Sequence, residues 1–312
     1  MLNQNNINNS RRQFIKQTAA VAAGLAVLPS WAALSKKPFF EISLAQWSLY
    51  KEFFGKKYEA LDFPVVARKN FDIGMVEYVN QFFKDKAEDK TFLKALQQRC
   101  SDNGVKNHLI MIDGEGDLGN VDEKERTKAI ENHYKWVEAA SFLGCRSIRV
   151  NAFGRGSREE VKAAAIDGLS RLGAFASKAG LNVIVENHGS YSSNGEWLLS
   201  VMKGVNRKNV GILPDFGNFC MQRDNNGCAD EYDKYKGVQM WMPYAKGVSA
   251  KTFSFDAAGN CIETDYPRML KIIKDAGFKG VIGIEYEGDK LSAEDGIKAT
   301  KALLLKTANA LS

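Results

Sequence analysis

Short apolar runs with period-two alternation recur from residue 41 onward, and most are followed by segments whose apolar residues return every three or four positions. The runs are EISLAQWSL (41–49), GMVEYVN (74–80), KNHLIMID (106–113), RSIRVNAF (146–153), NVIVENHG (182–189), VGILPDFGN (210–218), KGVSAKTFSF (246–255) and GVIGIEYEG (280–288). Amphipathic helical patterns lie between them, clearest over 122–143, 157–180 and 265–277. Gly104, Gly144, Gly180 and Gly277 stand where such helices should stop, because glycine readily takes the left-handed conformation that ends a helix. Ser157 and Glu160 have the spacing of a capping box. Eight β-then-α units in about 270 residues are the count of a single-domain α/β fold, the (β/α)8 TIM barrel, over residues 40–312. That count disfavours the rival, a doubly wound open sheet.

In such a barrel, reactive groups gather at the C-terminal ends of the strands. Polar residues here fall late in their runs: Gln46, Glu77, Asn151, Glu186, His188, Asp215, Lys251, Glu285 and Glu287. Alternation sorts them by face. Lys251 shares a face with Ser249 and Gly247, which leaves Val248 and Ala250 towards the helices. If Asn151 points inward, so does Arg149, and a buried arginine needs a carboxylate partner. The expected mouth holds Glu77, Glu186, Asp215, Glu285 and Glu287 against Lys251 and Arg149. So many carboxylates do not stay ionised together at low dielectric without a cation. A divalent metal relieves the crowding, and oxygen-rich ligation suits Mn or Mg. Trp47, Tyr78 and Asn151 are candidate pocket residues, since aromatic faces and amides suit the C–H faces and hydroxyls of a small-molecule ligand.

The first 33 residues read differently. NNSRRQFIK places a twin-arginine pair, Arg11 and Arg12, before Phe14, Ile15 and Lys16, and a weakly hydrophobic alanine-rich run follows. Small residues then suit a signal peptidase, so residues 1–33 are expected to be a cleaved export signal and the protein periplasmic. No membrane anchor is expected to remain. Cleavage removes Arg11, Arg12 and Lys16 and lowers the formal charge from +6 to +3, too mild for a nucleic-acid partner. Of the five cysteines, Cys220 and Cys228 are near enough to bridge in an oxidising compartment, and burial accounts for Cys100, Cys145 and Cys261. Homo-oligomerisation is left open.

VIVENHG, ILPDFGNF, GVSAKTF and IGIEYEG, in this order on strands 5 to 8, resemble the xylose isomerase-like TIM-barrel superfamily of sugar isomerases and epimerases. The resemblance covers essentially all of residues 40–310. It implies a divalent metal held by Glu186, Asp215 and Glu285, with Glu186 and Glu285 as an acid/base pair on opposite sides of the substrate carbon. Two positions depart from the family pattern. Ser249 stands where a metal-binding histidine is common, and Asn218 where a substrate-touching histidine is usual. His188 is the residue that could substitute in part.

The implied reaction is proton abstraction beside a carbonyl through an enediolate, with Lys251 as an electrophile held protonated by its carboxylate neighbours. Export points to an unphosphorylated sugar. Alternatives are a 3-keto-glycoside lyase using the same abstraction, and a non-catalytic sugar-binding barrel with a degraded metal site. An endonuclease on this fold needs more imidazoles than His108, His133 and His188 supply.

Overall fold

The period-two runs become eight parallel strands. These are β1 (Glu41–Ala45), β2 (Met75–Val79), β3 (Lys106–Met111), β4 (Ser147–Val150), β5 (Asn182–Glu186), β6 (Val210–Leu213), β9 (Val248–Thr252) and β10 (Val281–Tyr286). Between β6 and β9 an antiparallel hairpin intervenes, β7 (Cys220–Asp224) and β8 (Gly227–Glu231). This computed structural model describes residues 37–225 and 227–312, so the expected export signal at 1–33 lies outside the described residues.

The strands run in the order β6-β5-β4-β3-β2-β1-β10-β9. Parallel bridges Ile212–Ala245 and Asp215–Ser249 bring the two edges together, and the barrel is nearly closed. Several strands stop earlier than their apolar runs. The first run bends into a 3-10 turn at Gln46–Leu49, and the sixth ends at Leu213. The polar residues after each stop therefore stand at the barrel mouth.

The helices obey their sequence signals. Those over Glu123–Leu143, Arg158–Lys178 and Tyr266–Asp275 begin at Asp122, Ser157 and Asp265, whose side chains accept from backbone N–H groups of the first turn. Ser157 and Glu160 complete the capping box. All four stop glycines take positive φ. Among the described residues, no helix is long and apolar enough to cross a membrane.

Two apolar layers hold the barrel. Val248, Ala250, Ile282 and Ile284 belong to the large core between sheet and helices. Ala45, Val79, Leu109, Met111, Ile184 and Leu213 plug the interior. Val79, Leu109, Met111, Ile184 and Leu213 each contribute about 1.5–3 kcal/mol relative to exposure, and together with Ala45 they form an apolar floor beneath the mouth.

Candidate active site

Alternation on β9 turns Ser249 and Lys251 inward, and both are buried. Lys251 Nζ lies 3.3 Å from Glu285 Oε1, 3.4 Å from Glu287 Oε2 and 3.9 Å from Asp215 Oδ2. Burial works to lower the ammonium's pKa, but these three carboxylates outweigh it and hold Lys251 protonated, well above the usual lysine range. Ser249, where the resemblance leads one to look for an imidazole, places its Oγ 2.6 Å from Asp215 Oδ2 and 3.0 Å from Glu285 Oε2. The other oxygen of Asp215 accepts from the backbone N–H groups of Gly217 and Asn218 at 2.8 and 2.9 Å. Asn187 fixes that turn through the backbone of Asp215 and Asn218.

Glu186 ends β5 beside this group. Asn218 Nδ2 donates to its Oε1 at 2.9 Å, and Arg149 Nε lies 2.7 Å from Oε2 as a charge contact without an aligned hydrogen bond. Arg149 also holds Asp113 at 2.8 Å, which supplies the carboxylate partners an inward arginine requires. Asp113 accepts from Asn151 at 2.7 Å, and Asn151 in turn meets His188 Nδ1 at 3.0 Å. Burial, then Arg149 and Lys251, keep His188 below the ordinary histidine range, so its ring is neutral. His188 stacks on Phe153 and lines the cavity, where its ring acts on Glu285 electrostatically.

Burial pushes the Glu186 and Asp215 carboxyls up to about 7. Burial also acts on Glu285, but Lys251, Arg149 and the Ser249 hydroxyl outweigh it and keep that group ionised. Glu77 lies deeper and reaches the space above Gly283, where a β-carbon would stand 2.6 Å from Glu77 Oε1. It accepts from Ser43 Oγ at 2.5 Å, and burial pushes its carboxyl to about 8. Glu77 is thus a protonated floor residue, while the cavity is lined by others.

That cavity, about 480 Å³, is lined by Trp47, Asn218, Arg149, Lys251, Glu285, Glu287 and His188, and also by Asp113, Gln81, Gly189, Cys220 and Arg223. Tyr78 is not among them. Because Glu77 faces inward, its strand neighbour must face outward, and the Tyr78 hydroxyl donates to Asn107 at 2.7 Å within the outer core. Sequence reasoning missed Asp113, although it closes its run and shares parity with inward Leu109 and Met111. Arg223 and Cys220 were missed as lining because they arrive on the β7–β8 hairpin, which a disulfide between Cys220 and Cys228 clamps. Cys100, Cys145 and Cys261 are free and buried.

Glu186, Asp215 and Glu285 each offer an oxygen, all within 4.8 Å of one another. Two oxygens bound 2.0–2.6 Å from one ion are at most about 5 Å apart, so the three fit a single divalent ion. Glu186 Oε2, buried with only the charge contact to Arg149, is available to such an ion. The donors are all oxygen, which suits a hard cation.

The described chain superposes on several solved barrels. A sugar phosphate isomerase/epimerase from Parabacteroides distasonis is 15% identical over 87% of this chain and 96% of its own, with a TM-score of 0.67. A xylose isomerase-like TIM-barrel protein from Mycobacterium smegmatis, solved in complex with magnesium, is 14% identical over 89% and 99%, with a TM-score of 0.63. The 3-keto-D-glucoside 4-epimerase from E. coli is 13% identical over 85% and 98%, with a TM-score of 0.59. No curated protein sequence gives a significant match. The family model described as "Xylose isomerase-like TIM barrel" matches residues 64–307, and the chain belongs to that family.

Proposed function

We propose that the protein is a sugar isomerase or epimerase that removes a proton beside the carbonyl of an unphosphorylated sugar. The observation that carries this reading is the convergence of Glu186, Asp215 and Glu285 around a protonated Lys251 at the barrel mouth. General-base work needs an ionised carboxylate at the cavity wall, and Glu285, kept ionised against burial by Lys251, meets both conditions. Glu186, at the end of β5 against Arg149 and the lining Asn218, is its counterpart: it must hold a proton when the enediolate forms, and it returns that proton to the carbon. Lys251 holds a fixed positive charge beside Glu285, where oxyanion charge would develop. A divalent ion on Glu186, Asp215 and Glu285, Mn or Mg by its oxygen donors, would supply Lewis-acid polarisation of the carbonyl.

Arg149 and Lys251 are committed to carboxylates, which leaves Arg223 as the lining cation with no carboxylate at ion-pair distance among the described residues. One exposed arginine is a poor cradle for a phosphoryl group, and this supports a neutral sugar. The Cys220–Cys228 disulfide supports an exported, periplasmic protein, because such bonds persist in oxidising compartments. A second reading, β-elimination from a 3-keto-glycoside, uses the same proton abstraction; one fold neighbour is named as a 3-keto-D-glucoside 4-epimerase and another as a probable 3-DHS dehydratase, which supports the substrate class and the elimination separately.

The test is solvent-deuterium incorporation into keto-sugars, with Glu186→Gln and Glu285→Gln as controls. Incorporation in the parent and its loss in both variants is expected. Incorporation that survives both substitutions overturns the assignment.

A further inference from the structure

A second cavity, about 630 Å³, opens beside the first between the short helix Tyr50–Phe54 and the 3-10 turn Asn80–Lys86. Phe53, Phe54, Tyr58, Leu61, Phe82 and Phe92 give it an apolar wall. Gln81 lines both cavities. The walls are also shared through aromatic contacts. Phe82 stacks on Trp47 with ring centres 6.1 Å apart and on Phe53 at 4.8 Å, and Phe54 meets Trp47 edge-on at 6.2 Å. One aromatic surface therefore runs from the edge of the carboxylate-lined cavity into the neighbouring apolar one. Phe54 is 57% exposed at this place, where a ligand would cover it.

We infer that this second cavity is a subsite for the apolar, aromatic aglycone of a glycoside whose sugar ring occupies the carboxylate-lined cavity. The inference rests on the sugar reading above and adds the class of substrate to it. The first cavity is rich in charged and amide groups that suit hydroxyls and a reacting carbonyl. The second is walled mainly by aromatic carbon, with Lys56, Glu59 and Lys86 also lining it, and that aromatic wall suits a flat hydrophobic ring. A monosaccharide fills only the first. A substrate with one polar and one apolar half fills both, and the shared Gln81 and the Trp47–Phe82 stack mark the place where the halves would join.

Phenyl and methyl glucosides test this directly, since neither carries a carbonyl to react and binding can be read without turnover. Calorimetric titration, with intrinsic tryptophan fluorescence as a second readout, is expected to show the phenyl glucoside binding roughly tenfold or more tightly. Phe54→Ser changes an exposed side chain and keeps the fold. Combined with Phe82→Leu, it is expected to bring the two ligands within about twofold of each other, with the larger loss falling on phenyl glucoside. Phe54→Ser alone should reduce the preference in the same direction. Equal binding of both glucosides by the parent protein overturns the subsite and leaves the sugar pocket standing. A preference that survives both substitutions also overturns it. Failure of both glucosides to bind overturns the sugar reading together with the subsite.

Discussion

Ser249 Oγ stands 2.6 Å from Asp215 Oδ2, across the bridge that joins the two edge strands of the barrel. The same hydroxyl is 3.0 Å from Glu285 Oε2, and one hydroxyl proton serves only one acceptor at a time. The second carboxylate must then hold a proton or share a cation. Ser249→Ala is expected to destabilise the fold by about 1–3 kcal/mol, the cost of leaving buried acceptors unpaired, measured by chemical denaturation. Ser249→His adds an imidazole facing the three carboxylates and is expected to tighten zinc binding roughly tenfold or more. Zinc titration of the two proteins checks it, and equal affinities would contradict the placement of position 249 beside the cation site.

Lys251 is the hub of the buried ion cluster. Lys251→Met leaves Asp215, Glu285 and Glu287 without their shared cation. Breaking a buried pair from one side costs about 3–5 kcal/mol, and a drop of that size in denaturant stability is expected. Deuterium exchange into keto-sugars should fall along with it.

Glu77 predicts a pH dependence of stability. Its folded carboxyl is raised from 4.5 to about 8, chiefly by burial. The stabilising contribution of the protonated form is fully present below pH 4.5 and is lost as pH rises through 8, at about 1.4 kcal/mol for each pH unit between those limits. The melting temperature should therefore fall between pH 5 and 9. Glu77→Gln, which imitates the protonated acid, should flatten that fall, and an unchanged slope would contradict the burial argument.

The Cys220–Cys228 bridge closes a short loop, worth roughly 2–3 kcal/mol of chain entropy on the loop-closure account. Because β7 and β8 lie outside the barrel, reduction or Cys228→Ser should loosen the hairpin without unfolding the rest. Arg223 is carried by that hairpin and lines the cavity. A rise in KM with little change in barrel melting temperature is the expected signature.

Tyr78→Phe separates face from proximity. The lost bond to Asn107 should cost about 1 kcal/mol and leave activity untouched, since the hydroxyl lies in the outer core.

The barrel was legible because its eight runs and their caps are local signals. Ser157 and Glu160 announce their helix within four residues. Facing was legible too, wherever parity was applied: Lys251, Ser249, Arg149 and Glu186 all point inward as alternation requires. Tyr78 was misplaced by attending to its chemistry before its parity. The hairpin could not be read as strands, because CMQRD and GCADE lack apolar alternation and are held by a turn and a disulfide. Asn218's contact with Glu186 depends on the turn after β6, which brings together side chains 32 residues apart.

Gly283 has no side chain, and Glu77 occupies the volume one would need. Positions 77 and 283, on strands that are not neighbours in the sheet, thus divide a fixed space between them. Changes at one should be tolerated only in step with the other. In a library randomised at both, glycine at 283 should be recovered with a long residue at 77, and bulk at 283 only with a small one. The floor of the barrel is in this sense a two-residue lock, and enlarging either residue alone should jam it.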